Sequence, residues 1–278
     1  MENNYLDKLK AIELEILNEI DRICKKHNIE YCLSGGTLLG AVRHGGFIPW
    51  DDDIDIAMTR DNYDKFCSLP ESEFGDDYLL NCFKTNKKCS YPYAKLVRRG
   101  TKFIESKNVS NKDSIYSGIW VDIFPLDGAS GVNLPLQAKN KQMYNKYFTL
   151  INIKNKTSYY QSSKFKKKIY EFILYFVPMR FLHKKLYKFI TNESVLDNDF
   201  LCSYCSVYSI VKDTHKKIAI FPTKEIMFEG KLYPCMNNND EYLSKMYGNY
   251  MELPPEDKRI NHKPYFIKFP DGEEVYPK

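Results

Sequence analysis

Apolar residues recur at helical spacing from the start of the chain. Leu9, Ile12, Ile16, Ile20 and Ile23, with charges between them, predict an amphipathic helix over residues 4–27. Residues 28–33 read as a short buried strand, Ser34-Gly35-Gly36 as a turn, and residues 37–43 as a short helix. A loop rich in Gly and Pro over 44–50 leads to a second strand at 53–58, where Asp53, Asp55 and Ala57 alternate with Ile54, Ile56 and Met58. Thr59 is placed to cap a helix over 60–68. Further strands are expected at 78–83, 92–98 and 119–124. From 134 to 192 the pattern turns helical and basic, and the tail from 201 mixes strands, a helix near 240–247 and Pro-rich loops. The pattern is that of an α+β chain. A mixed β-sheet core flanked by helices is expected over 1–130, a mostly helical insertion over 131–200, and a C-terminal segment over 201–278 that packs back on the core.

Composition narrows the class. Over 278 residues, 43% hydrophobic and 28% charged side chains fit a globular chain able to bury a real core. A net charge of +5 suits an anionic substrate or membrane surface and is too weak to argue for nucleic acid. The aromatic share is 15%, with 22 Tyr; tyrosine lines carbohydrate and cation sites, though a Lys/Asn/Tyr-biased composition gives the same count. The eight cysteines are scattered, and Cys202 and Cys205 form a lone CxxC without further zinc ligands at a recognisable spacing. The first residues are charged and lack an apolar run, which predicts no secretory leader, a cytoplasmic location and free thiols. No run approaches the roughly 20 apolar residues of a membrane span; the nearest, residues 169–177, is interrupted by Glu171.

The stretch SGGTLLGAVRHGGFIPWDDDIDIAM, residues 34–58, holds the chemistry. Gly35 and Gly36 let a backbone approach a ligand closely, and the helix opening at Thr37 directs free N–H groups toward that turn, an arrangement that favours phosphate. A plain turn would look the same. Asp53 and Asp55, one residue apart on a strand, project from one face about 7 Å apart along the chain. Beside an apolar interior two such carboxylates repel unless a cation neutralises them, and magnesium prefers one or two carboxylates plus substrate phosphates. A solvated acidic edge is the plain alternative. A third carboxylate is expected from Asp122 in GIWVDIFPLDG, a charge inside an apolar strand that needs a partner; Asp127 reads as turn chemistry. Arg43 and His44 follow the glycine turn on its helix. Lys95, in YPYAKLVRR, is placed either to neutralise a diphosphate or to guard a sheet edge.

GGTLLGAVRHGGFIPWDDDIDI resembles the signature of the LicD family of phosphocholine transferases, which belong to the nucleotidyltransferase-fold superfamily together with the fukutin-type phosphotransferases. PYAKLVRR, GIWVDIFPLDG and FEGKLYPCMNNNDEYLSKMYGNYMELPPEDKRINH extend the resemblance; residues 134–200 carry little of it. The resemblance implies transfer of phosphocholine from CDP-choline to a sugar hydroxyl of a teichoic-acid or lipopolysaccharide precursor, with release of CMP. It implies Gly35 and Gly36 on donor phosphate, with Thr37, Arg43, His44, Trp50 and Lys95 around the donor. It further implies two magnesium ions, or manganese, on Asp53, Asp55 and Asp122, and Asp122 as the base. Asp51 and Asp52 enlarge the acidic cluster, with Asp51 expected to share the face of Asp53. A quaternary ammonium is usually held by aromatic faces, and Trp50, Trp120, Tyr91 and Tyr93 are the nearby candidates. The same chemistry would serve phosphoethanolamine, aminoethylphosphonate, ribitol phosphate or glycerol phosphate; transfer of the nucleotide itself, or an inactive membrane-associated binding protein, are the readings of other kinds. Residues 163–190 hold Lys and Arg around Phe172, Ile173, Leu174, Tyr175 and Phe176, which reads first as a solvated helical hairpin packed on the core, and second as peripheral contact with an anionic inner membrane and a lipid-linked acceptor.

Overall fold

Helix α1 (Asn4–His27) forms where the apolar stripe requires, burying Leu9, Ile12, Ile16, Ile20 and Ile23 on the main sheet. The computed structural model describes residues 4–105, 114–131, 134–156, 164–191, 195–261 and 264–277. After α1 come β1 (Cys32–Leu33), α2 (Gly35–His44), β2 (Asp55–Thr59), α3 (Arg60–Phe66), β3 (Tyr78–Asn81), β4 (Ala94–Arg98), β5 (Lys102–Ile104) and β6 (Trp120–Ala129). Helices α4 (Leu134–Lys154), α5 (Lys164–Tyr175) and α6 (Met179–Ile190) follow. The last part holds β7 (Phe200–Cys202), β8 (Thr214–Lys216), α7 (Lys217–Ile220), β9 (Lys224–Phe228), β10 (Lys231–Cys235), α8 (Asn239–Tyr247), β11 (Phe266–Lys268) and β12 (Glu274–Val275).

The main sheet runs β1-β2-β6-β4-β3, with β7 also on β6 and β8 on β7. Strands β2 and β6 are parallel and the other neighbours antiparallel, so the sheet is mixed, as expected. Strand β2 starts at Asp55 rather than Asp53, because laddered pairing with β6 begins at Asp55 opposite Asp122. Thr59 caps α3 by accepting from the Asn62 amide.

The expectation for Asp127 fails. Strand β6 does not stop at residue 124 but runs to Ala129, changing partner from β2 to β7 at Asp127. There Asp127 is wholly buried and grips Arg60 of α3 through two bonds of 2.7 and 3.0 Å. The strand can carry this charge inward because the guanidinium fork matches both carboxylate oxygens.

Two apolar clusters result. The larger joins α1, α2, α3 and the main sheet with Phe228, Tyr233, Tyr242, Leu243 and Phe269 of the C-terminal part. The smaller gathers Tyr144, Ile151, Leu174, Leu182, Leu186 and Ile190 of α4, α5 and α6 around Ala129 and Cys202. Strand β6 belongs to both. Among the described residues no helix is long and apolar enough to cross a membrane.

Candidate functional site

Parallel pairing of β2 and β6 sets Asp55 and Asp122 side by side. Before β2, three consecutive carboxylates, Asp51, Asp52 and Asp53, offer oxygens within 4.8 Å of one another. Residues 51–53 lie before the strand, so strand alternation does not sort them; Asp51 and Asp53 are half-buried, Asp52 is buried, and all three reach one cluster. The Asp55 carboxyl is pushed far above the usual carboxylate range by burial and by the charges of Asp53, Asp122 and Asp51. Glu13, on α1, is driven up the same way by burial and by Asp53, Asp52 and Asp51. One of its oxygens is buried without a hydrogen bond.

Lys95 of β4 stands opposite Asp122 and brings its ammonium 2.8 Å from Asp122 Oδ1. Asp122 Oδ1 has no directed hydrogen bond, so the link is charge attraction. The ammonium lies 3.8 Å from the Trp120 ring centroid, 4.7 Å from that of Tyr91 and 5.4 Å from that of Tyr93. Three of the four aromatic side chains suggested for a choline cage therefore already surround a cation, and it belongs to the protein.

The glycine turn abuts the acids. Gly35 adopts φ +55°, and a Cβ there would lie 2.8 Å from Asp55 Oδ2; a Cβ on Gly36 would lie 2.8 Å from Asp51 Oδ2. Helix α2 starts without a side-chain cap from Ser34, and its Gly35 amide donates weakly to Tyr242 Oη at 3.4 Å. The Thr37 hydroxyl accepts from the Asp55 amide at 2.8 Å and fixes the helix to the strand. Arg43 comes eight residues after Gly35, about 12 Å up the helix axis, and its guanidinium is spent on the carbonyls of Tyr250 and Glu252. His44 faces Trp50 edge-on at 6.5 Å, and Arg259 covers the Trp50 ring. Thr37, Arg43, His44 and Trp50 lie outside the walls of the two cavities that meet at the acids.

The first cavity, about 450 Å³, runs from Gly35, Gly36, Asp51, Asp53 and Asp55 to Tyr208, Asp213, Tyr242 and Tyr247. The second, about 400 Å³, holds Glu13, Asp52, Lys95, Trp120 and Asp122 and shares Asp53, Asp55 and Tyr93 with the first. The acids thus form the common wall of two chambers. Sequence reasoning missed the far wall of the first, which folds back from residues 203–213 and α8. It also missed Glu13, although an acid four residues after Leu9 on an apolar stripe was a readable signal.

Asp213 is buried, and burial raises its carboxyl from 3.8 to about 6 despite a hydrogen bond from Ser206. Between those values the native chain holds a proton that the unfolded chain has lost, so this group costs stability as pH rises through that window. His183 and His215, both lowered to about 4 by burial, act with the opposite sign. The difference isolates Asp213. Asp213→Asn is expected to gain stability over the native chain between pH 4 and pH 6 in urea titrations, and an unchanged difference across that range would refute the assignment.

The donor set suits a divalent ion. Five aspartates and Glu13 converge, with the Lys95 ammonium against Asp122 and Lys10 near Asp51 and Glu13, and carboxylate oxygens are the ligands magnesium takes. The family model of the LicD/FKTN/FKRP nucleotidyltransferase domain matches residues 28–168. The chain belongs to the LicD/FKTN/FKRP family. That match spans the glycine turn, the aspartates, Lys95 and Asp122. Among its relatives, the lipopolysaccharide cholinephosphotransferase LicD of Haemophilus influenzae is 29% identical over 96% of this chain and 98% of its own. Ribitol 5-phosphate transferase FKRP of human and of mouse is 43% identical over 47 residues, 17% of this chain and 10% of theirs.

Proposed function

We propose that this LicD/FKTN/FKRP-family chain transfers phosphocholine from CDP-choline to a sugar hydroxyl of a cell-surface glycan precursor, of lipopolysaccharide or teichoic-acid type, releasing CMP. The observation that carries the reading is the in-register pair Asp55 and Asp122, flanked by Asp51–Asp53 and closed on one side by the glycine turn. Two magnesium ions, with manganese as the substitute, would sit on Asp53, Asp55 and Asp122; bound there they offset charge on the diphosphate and polarise the transferring phosphoryl group.

The residues themselves divide the work. The first cavity takes the donor, its diphosphate against Gly35 and Gly36. Tyr208, Tyr242 and Tyr247, with Asp213 among them, offer π faces and negative charge to a cationic headgroup. The second cavity takes the acceptor, with its hydroxyl beside Asp122. Asp122 accepts the hydroxyl proton as the sugar oxygen bonds to the choline-bearing phosphorus, and the bond from that phosphorus to the CMP oxygen breaks. Lys95 holds the Asp122 carboxylate in place. The name of the FKRP relatives raises a second transferred group, ribitol 5-phosphate, whose polyol carries no cation.

CMP release from CDP-choline, CDP-ethanolamine and CDP-ribitol, each with and without magnesium on glycan acceptors, tests the reading. We expect magnesium-dependent CMP release, fastest with CDP-choline, and a phosphocholine-bearing glycan. Asp122→Asn should lower kcat by about a hundredfold or more, the usual contribution of a positioned base, with KM for the donor little changed. A glycan carrying CMP, or turnover indifferent to Asp122, would rule the scheme out.

A further inference from the structure

The α5–α6 hairpin leaves its apolar residues on the outside. Ile169, Phe172, Ile173, Tyr175, Phe176 and Phe181 are between 46% and 78% exposed, within thirteen residues of chain. Phe176 stacks edge-on with both Phe172 and Tyr175, so three rings form one cluster at the hairpin tip. Single exposed apolar side chains are ordinary, but a contiguous cluster of this kind marks a contact surface.

The hairpin itself is well anchored. Leu174, Leu182, Leu186 and Ile190 are buried in the smaller core. His183 stacks on Phe83 at 3.7 Å and bonds the Cys89 carbonyl at 3.2 Å. Asn155, just past α4, donates to the Lys88 carbonyl and to Ser90 Oγ. The exposed rings are therefore the outer face of a packed element. Through residues 88–91 that element touches the wall of the second cavity, where Tyr91 stands.

Charge selects the occupant. Lys168, Arg180, Lys184 and Lys188 are exposed on the same two helices, and Glu171 is the one acid between residues 164 and 190. Residue 163 and the side chains of 164–167 lie outside the described set. Exposed aromatic rings on helices that also carry exposed cations match the boundary of an anionic bilayer, where rings enter the headgroup layer and ammonium groups meet phosphate. A second copy of the chain would set these cations against each other, which opposes self-pairing.

We infer that the α5–α6 hairpin docks the protein on anionic membranes, rings inward, with the second cavity held beside the lipid surface. The test is sedimentation of the full chain with vesicles of phosphatidylcholine alone and of phosphatidylcholine mixed with phosphatidylglycerol. We expect binding only to the second kind, weakened by high salt. The Lys184→Glu, Lys188→Glu double variant should lower partitioning about tenfold or more, each cation near an anionic surface being worth about a factor of five. The Phe172→Ser, Phe176→Ser double variant should lower it by at least as much, and in low salt too. All four positions are exposed, so thermal unfolding should match the native chain. The inference is overturned by absent binding, by equal binding to both vesicles, by variants that bind like the native chain, or by a concentration-dependent dimer that the Phe variants abolish.

Discussion

Asparagine at Asp55 is expected to lower kcat by about a thousandfold, the scale of removing a group that organises charge in a phosphoryl-transfer site, while leaving the metal-free fold at least as stable. Both halves have one cause. The Asp55 carboxyl is crowded by Asp53, Asp122 and Asp51 and has its protonation pushed far upward. Holding it charged therefore opposes folding near neutral pH, and a neutral amide of the same shape removes that repulsion. The Asp55 backbone amide keeps its bond to Thr37 in the variant, so the strand stays in place. Magnesium should raise the melting temperature of the native chain, because a ligand that binds only the folded state stabilises it, and should raise that of the variant far less. Calorimetry with and without magnesium, beside a CMP-release assay, gives both readouts. Near-native turnover, or a variant that melts well below the native chain without metal, would refute this account of Asp55.

Removal of the Asp127 carboxylate should be the most damaging single change to stability outside the site. Asp127→Ala leaves the Arg60 guanidinium, almost fully enclosed between Tyr63 and Tyr187, with the more distant Asp64 carboxylate at 3.8 Å as its ion pair. Breaking one side of a buried pair costs about 3–5 kcal/mol, a large share of the roughly 5–15 kcal/mol that holds a domain. Replacing both partners, as Arg60→Met with Asp127→Leu, should recover most of the loss, because no uncompensated charge remains. Urea titrations of the two variants decide it. A single variant within about 1 kcal/mol of the native chain would mean that water already serves Arg60.

Much of this was legible in the sequence, for definite reasons. Helix α1 announces itself through Leu9, Ile12, Ile16, Ile20 and Ile23, and its observed limits are those the stripe predicts. Asp55 and Asp122 stand out because each is a charge within an apolar strand. What one sequence does not hold is register. Lys95 reads as a cation for a diphosphate or as the guard of a sheet edge until β4 is laid against β6 and puts it opposite Asp122. Arg43 and Trp50 lie close to the motif along the chain, yet helix geometry and the segment 250–259 carry them to other partners. Tyr208, Asp213 and Tyr247 lie some 150 to 200 residues beyond the acids they face across the first cavity, and no local pattern marks them. Asp127 reads as turn chemistry because the strand is expected to end at residue 124, whereas it continues and exchanges one partner for another.

That exchange of partners has a consequence for how the molecule becomes active. Over ten residues β6 presents Asp122 to the acids, Phe124 and Leu126 to the donor chamber, Asp127 to Arg60 and Ala129 to the smaller core. Side chains alternate along a strand, so a slip of one residue would turn Val121 or Ile123 toward the acids and drive Asp122 into oil. The alignment that sets Asp122 beside Asp55 in the proposed reaction centre is the one that satisfies the Arg60 charge and closes both cores. A chain caught midway through folding would thus hold no weakened version of the activity, and turnover should emerge only together with the last native packing.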